Sequence, residues 1–174
     1  MPNAEMIHIK HLFISPGHNF FGHHGQPAGE HRMLECAEIR CIAGRGIEGD
    51  RFFDFIMDYK GQVTFFANEV YEQLCAEFGI WDKPPSVFRR NIITVGADLS
   101  GLIGREFEIQ GVRFFGTGES APCEWMNLAF AAGAEEWLKG RGGLRTKILT
   151  DGVLRAAPDD DGSNTSGVHL AVTL

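Results

Sequence analysis

Cys123 stands apart from Cys36, Cys41 and Cys75 because Pro122 precedes it and a helix-like stretch follows. With Ser120 as the helix N-cap, Pro122 falls in the first turn and Cys123 at the third helical position. The unpaired N–H groups and the positive dipole end of a helix start stabilise a thiolate. A free thiol with a pKa near 8.5 is only about 3% ionised at pH 7, and a helix start brings that pKa to between roughly 3.5 and 7.5. A thiolate serves nucleophilic attack, sulfur transfer or ligation of a soft metal. The competing reading is a buried structural cysteine, the commonest fate of a free thiol. That reading is the one adopted for Cys36 and Cys41, in a strand-like run, and for Cys75, in a helix-like one.

Arginines on glycine-rich loops are the second chemical signal. Gly44, Gly46 and Gly49 match a dinucleotide-binding fingerprint after a strand. That motif needs a helix opening at its third glycine, and residues 50–55 carry neither a cap nor helical apolar spacing. What remains is a turn presenting Asp50 and Arg51 as an ion pair or a ligand clamp. Arg89, Arg90 and Asn91 precede a strand, and Arg141, Gly142 and Arg145 lie in a loop over 140–145. Such loops suit bidentate binding of phosphate or carboxylate. Arg51, Arg90 and Arg141 are therefore expected to converge on one anion pocket. Six of the seven histidines fall in the first 31 residues, and His23 and His24 could bring two imidazoles to a pocket as metal ligands. No His pair has the i,i+4 spacing of a zinc hydrolase, so a hydrogen-bonded loop over 15–31 is favoured.

These residues need a scaffold. A chain of 174 residues fits one domain, 1–174, and its 44% apolar content with fourteen Phe supplies a core. A net charge of −7 gives no electrostatic footprint for nucleic acid or an anionic membrane. No run reaches the roughly 18 apolar residues of a membrane span. The N-terminus lacks the basic head and apolar stretch of a signal peptide, so a cytoplasmic protein with free thiols is expected.

Strand-like runs dominate, at 6–14, 33–42, 62–66, 91–95, 106–109, 112–115, 146–149, 153–155 and 168–174. Gln110-Gly111 and Asp151-Gly152 are hairpin signals. Only two helices stand out. One starts at Asn68 as its cap, with Val70, Tyr71, Leu74 and Phe78 on one face and Gly79 as its stop. The other runs from about Ser120 to Lys139. This pattern predicts a β-rich α+β protein, a single-domain mixed β-barrel with two main helices.

In order, these pieces resemble the MOSC domain, which is found at the C-terminus of molybdenum-cofactor sulfurases and in small free-standing proteins. Residues 46–52 (GIEGDRF) look like the family's G-x-x-G-D-R-[HF] segment. Arg90-Asn91-Ile92 with Gly96-Ala97-Asp98-Leu99 is similar to R-E-N-[IL]…G-x-D-L. Thr117 to Cys123 is similar to the stretch that ends in Pro-Cys, and Gly140-Arg141-Gly142-Gly143 to the G-R-x-G turn. Together they span about residues 35–155. Three departures are visible. The central Glu between Arg90 and Asn91 is absent, Phe52 stands where many members carry His, and Ala157-Pro158-Asp159 replaces a late Gly-Asp.

The resemblance implies a β-barrel of the MOSC type with a pocket for the molybdopterin form of the molybdenum cofactor. It also implies that Cys123 either ligates molybdenum or carries sulfane sulfur. The cofactor-binding set expected here is Asp50, Arg51, Arg90, Asn91, Arg141, Gly142 and Arg145. Three functions follow. The first is an oxidoreductase for N-hydroxylated small substrates, served by an electron-donor protein. The second is a sulfur carrier whose Cys123 persulfide comes from a PLP-dependent desulfurase. The third is a non-catalytic metal-binding barrel that uses the His-rich loop.

Overall fold

The computed structural model describes residues 7–18, 29 and 31–158. Among them ten strands form two sheets. The larger has seven strands in the order β2-β1-β6-β5-β9-β8-β7. These are β1 (His8–Ile14), β2 (Leu34–Glu35), β5 (Val63–Ala67), β6 (Ile92–Val95), β7 (Glu106–Ile109), β8 (Val112–Glu119) and β9 (Leu144–Ile148). The smaller sheet, β10-β3-β4, is built from β3 (Glu38–Ile42), β4 (Gly46–Ile47) and β10 (Gly152–Arg155). Strands β5 and β6 pair in parallel, joined by a crossover through helix α1 (Asn68–Phe78), and every other pairing is antiparallel.

The central strands explain the layering. Leu12, Phe65 and Ile92 belong to one apolar cluster, while their neighbours Phe13, Phe66 and Ile93 belong to a second. Successive side chains on a strand point to opposite faces, so both faces of β1, β5 and β6 must be covered. The small sheet covers one face, through Ile39, Cys41, Ile47 and Leu154. Leu74 and Cys75 of α1, with Met126, Phe130, Ala134 and Leu138, cover the other. The strand-rich α+β class is as expected, but the barrel is not found: among the described residues neither sheet closes on itself.

Local signals had mixed outcomes. Gln110 (φ 51°) and Gly111 (φ 82°) make the tight turn expected between β7 and β8. Helix α1 stops at Gly79 in the left-handed conformation (φ 65°), but its N-cap is Ala67, with Asn68 inside the helix bonding to Glu72. Asp151-Gly152 is not a hairpin turn: β9 and β10 lie in different sheets, and β10 pairs with β3. Asp151 instead accepts from the Ala43 N–H at 2.7 Å. Gly152 sits within β10, where a Cβ would meet the Val112 side chain at 2.6 Å. This glycine serves close approach, not turn geometry. The run 33–42 is divided between the two sheets as β2 and β3. The expected strand over 168–174 lies outside the described residues.

The expected long helix from Ser120 to Lys139 is also divided, into α2 (Trp125–Ala129) and α3 (Ala134–Leu138), so that the described residues hold three α-helices and not two. Gly133 enters α3 at φ 93°, a conformation that no continuous helix allows. Asn127 ties the two pieces by accepting from the Glu135 N–H and donating to the Glu135 carboxylate. Among the described residues, no helix is long and apolar enough to cross a membrane.

Candidate functional site

The turn 43–45 joins β3 to β4, and a second turn at 48–49 follows at once. At Gly46 (φ 124°) a Cβ would press on the Phe52 carbonyl and the Phe53 Cα, both at 3.2 Å. The turn therefore delivers Asp50 and Arg51 into the interior. The Asp50 side chain is fully buried and that of Arg51 is 7% exposed, with Arg51 Nη1 3.2 Å from Asp50 Oδ1. The remaining capacity of the carboxylate accepts the N–H groups of Ser15 (3.0 Å) and Phe52 (3.2 Å). Arg51 Nη2 then reaches the Arg89 carbonyl at 3.1 Å. A short 3₁₀ turn, Pro85–Phe88, brings in Arg89, which is left-handed at φ 54°. Its guanidinium donates to the carbonyls of His31 (2.9 Å) and Gly17 (3.1 Å).

Arg90 works as a clamp. Nε donates to the Gly142 carbonyl (3.0 Å), Nη1 to Phe88 (3.0 Å) and Nη2 to Ser120 (2.9 Å). It thus ties the loop 140–145 to the strap that carries Cys123. Gly142 fits this junction because a Cβ would collide with the Ser120 carbonyl and Pro122. The Ser120 N–H donates to Gly143 (2.9 Å), so Ser120 continues the β8–β9 pairing and does not cap a helix. Cys123 consequently lies on an exposed strap before α2, not in the first turn of a helix, and the helix-start argument for its thiolate fails.

One cavity of about 250 Å³ gathers these groups. Cys123, Arg51, Arg90 and Arg145 line it, as do Arg89, His18 and the rings of Phe52, Tyr59 and Trp125. Phe52 and Tyr59 stack at 5.4 Å across a segment held at two left-handed bends, where Asp54 pairs with Arg45 and Asp58 with Lys147. Burial pushes the guanidinium pKa of Arg89, next to Arg51, down to about 10. Burial likewise brings Arg90 down to about 10, partly offset by Cys123. The Arg145 guanidinium has no hydrogen bond or ion pair among the described residues. Among the described residues the Arg89 and Arg90 guanidinium groups hydrogen-bond only to carbonyls and the Ser15 hydroxyl, with Arg89 also over the Trp125 ring, and Asp50 is the one acid bonded to the cavity's arginines. Charged groups held away from water without counter-ions favour an anion at the site.

Of the residues singled out by sequence, Cys123, Arg51, Arg90 and Arg145 meet at this cavity. Asp50 braces Arg51 from behind, and buried Asn91 ties β6 to its neighbours through Thr64 and the Phe13 carbonyl. Gly142 packs under the strap. Arg141 does not converge with the others. It stacks over the Trp137 ring at 4.1 Å and lines a second cavity of about 240 Å³ with Asp98 and Glu119. His23 and His24 lie outside the described residues. Tyr59 and Trp125 carried no sequence signal as pocket residues, and His18 and Arg89 were visible only as members of a His-rich loop and an Arg pair.

Two expected results follow from this geometry. Burial pushes the Cys41 thiol up to about 12 and also raises Cys36 and Cys75, whereas Cys123 is the exposed one. Brief treatment of the native protein with iodoacetamide at pH 7, mapped by peptide mass, should label Cys123 first, with Cys41 and Cys75 reacting only on unfolding. Earlier labelling of either buried thiol would contradict the arrangement. Sulfate should also stabilise the fold: at about 100 times its Kd it contributes about 2.7 kcal/mol, a rise in Tm of about 5–11 °C. Arg145→Gln should reduce that rise without shifting the sulfate-free melt, and a rise reproduced by chloride at equal ionic strength would refute anion binding here.

The MOSC domain model matches residues 22–173. The chain belongs to the MOSC domain family. Members of this family are associated with molybdenum-cofactor binding. Solved structures share the fold: YuaD from Bacillus subtilis is 17% identical with a TM-score of 0.67, covering 87% of this chain and 92% of its own. YiiM from Geobacillus stearothermophilus is 11% identical with a TM-score of 0.63, over 86% and 71% of the two chains. YiiM from Escherichia coli is 16% identical with a TM-score of 0.57, over 83% and 65%. At these identities the likeness is one of fold. No curated protein sequence matches the chain.

Proposed function

We propose that this MOSC protein binds the molybdopterin form of the molybdenum cofactor in the arginine-lined cavity and reduces N-hydroxylated small molecules in the cytoplasm. The observation that carries this reading is an exposed thiol, Cys123, sharing one cavity with four arginines. The donor set suits the group. Among the described residues no three His, Cys, Asp or Glu side chains cluster around a bare ion, so a metal at this site must bring most of its ligands with it. A single soft thiolate completes such a centre, and guanidinium forks match its phosphate.

Cys123 Sγ would be the protein ligand to molybdenum. Arg90 and Arg145 would hold the phosphate, with Arg51 and Arg89 on the same wall. When bound, the cofactor supplies a redox centre able to pass two electrons to an N–O bond. The chain's own contribution is to hold anions by charge-assisted hydrogen bonds, each worth roughly 1.5–3 kcal/mol. Asp50 keeps Arg51 oriented, and the Phe52–Tyr59 wall shields the centre from water. Electrons would come from an electron-donor protein.

The test is the content of protein purified from a host that makes the cofactor. Molybdenum and pterin near one per chain, with reduction of an N-hydroxylated substrate by a chemical reductant, supports the reading. Sulfane sulfur on Cys123 without molybdenum would replace it with a persulfide carrier loaded by a PLP-dependent desulfurase. Zinc or nickel alone would point to the His-rich loop as a metal site.

A further inference from the structure

Reduction of an N–O bond consumes protons as well as electrons, and the cavity offers few groups that can give one. Arginines stay charged at neutral pH, and Cys123 is taken as the metal ligand. Among the described residues His18 is the one imidazole on the cavity wall. It does not dangle from its loop. The Ser15 N–H donates to Asp50 at 3.0 Å, the Ser15 carbonyl accepts from Arg51 N–H at 2.7 Å, and the Ser15 hydroxyl donates to the Gly17 carbonyl at 2.9 Å. Arg89 bridges the carbonyls of Gly17 and His31, and so closes the neck from which His18 emerges. At Gly17 a Cβ would collide with the His31 ring. The His18 ring stands edge-on to Phe52, with centroids 5.0 Å apart, and tilted against Phe55 at 5.5 Å. The residues that fix its position also include those that line the anion cavity.

We propose that His18 is the proton carrier of this cavity, charged when an anion occupies its arginine wall, and the donor to the departing oxygen during N–O reduction. The second half rests on the function proposed above. The overall change is R–NH–OH plus two electrons and two protons to R–NH₂ and water. The N–O bond breaks, the His18 imidazolium gives its proton to the leaving oxygen, and the neutral ring is reprotonated from solvent. The second proton reaches nitrogen from water, and the electron-donor protein supplies both electrons.

Electrostatics makes this conditional. Burial lowers the His18 pKa, and Arg51, Arg89 and His31 lower it further, while Asp50 opposes them. With the cavity empty these groups favour the neutral ring. An anion that neutralises the guanidinium groups removes their repulsion and favours the imidazolium. By linkage, protonation of His18 must tighten the anion to the same degree.

The first arm uses full-length protein made in a host without the cofactor, with sulfate as probe because its charge is constant from pH 5 to 8. NMR of ¹⁵N-histidine-labelled protein, with His18 assigned through His18→Gln, should show a pKa below about 6.5 that rises on saturation with sulfate. A rise of one unit corresponds to sulfate binding up to about tenfold tighter at pH 5 than at pH 8, beyond whatever dependence His18→Gln retains. A His18 pKa unmoved by sulfate, or the same pH dependence in the variant, overturns the linkage. The second arm uses cofactor-loaded protein. His18→Gln and His18→Asn should keep their molybdenum but lose about 10²- to 10⁴-fold in kcat. Full activity in a folded variant overturns the donor role. If loaded wild type reduces no N-hydroxylated substrate, the proposed function falls and the donor role with it, while the titration still decides the linkage.

Discussion

Cys123→Ser is expected to abolish reduction of N-hydroxylated substrates and to leave the thermal melt within about 1–2 °C of wild type. The two halves have separate causes. Cys123 is exposed on a strap held by the backbone, through Arg90 on the Ser120 carbonyl and Ser120 on the Gly143 carbonyl. Exchanging sulfur for oxygen there removes little packing, and a surface exchange of that kind changes stability by no more than about 0.5 kcal/mol, equivalent to about 1–2 °C. The chemistry is another matter. A thiolate is soft and accessible near neutral pH, whereas a serine alkoxide is neither. The comparison is molybdenum content, activity and melting of both proteins made side by side. Equal activity in the two would end the enzyme reading. Persulfide on wild type alone, with cofactor in neither, would move the protein to sulfur carriage.

The sequence located Cys123 for a reason that the structure does not support. The Pro-Cys pair does mark the pocket, but Ser120 belongs to the β8 ladder and α2 starts later, at Trp125. Helical spacing alone does not register Gly133, whose φ of 93° separates two short helices. Motif order served better than periodicity for Arg51, in the turn after β4, and Arg90, just before β6, whereas Arg145, within β9, was legible only as a member of the 140–145 loop. It misplaced Arg141, four residues before Arg145, because the close approaches of Gly142 and Gly143 redirect the chain between them. Asp151-Gly152 failed in a similar way: glycine's small size, not its tolerance of positive φ, was what the site required.

Other features were legible only in three dimensions. Leu12 and Phe13 read as one apolar run, and no local pattern says that they face different layers. The barrel expectation is not confirmed among the described residues, and counting strands and hairpins does not reveal that both faces of the central strands are buried. His18 was one of six early histidines, separated from the rest by the Ser15–Asp50 and Arg89–Gly17 contacts, which span 35 and 72 residues. Phe52 stands where the family resemblance has His in many members, and here it provides an apolar edge against which the His18 ring rests.

Asp50→Ala is expected to be the most destabilising single change at the site. Its carboxylate is fully buried and takes three donors, from Ser15, Arg51 and Phe52. Removing it strands the Arg51 charge and leaves two main-chain N–H groups without their acceptor. Breaking a buried pair from one side costs about 3–5 kcal/mol, which for a chain of this size lowers Tm by about 6–20 °C. Asp50→Asn, which keeps an acceptor oxygen but loses the charge, should fall between. The cause can be isolated with Arg51→Met. If the unpaired guanidinium dominates, Asp50→Ala/Arg51→Met will melt above Asp50→Ala, because the charge that Asp50→Ala strands is removed with it. If the loss of the Ser15 and Phe52 bonds dominates, the double variant will be no better than the single one. An Asp50→Ala melt within a degree or two of wild type would mean that Asp50 does not brace Arg51, and the cavity would then lack the fixed arginine on which its anion site depends.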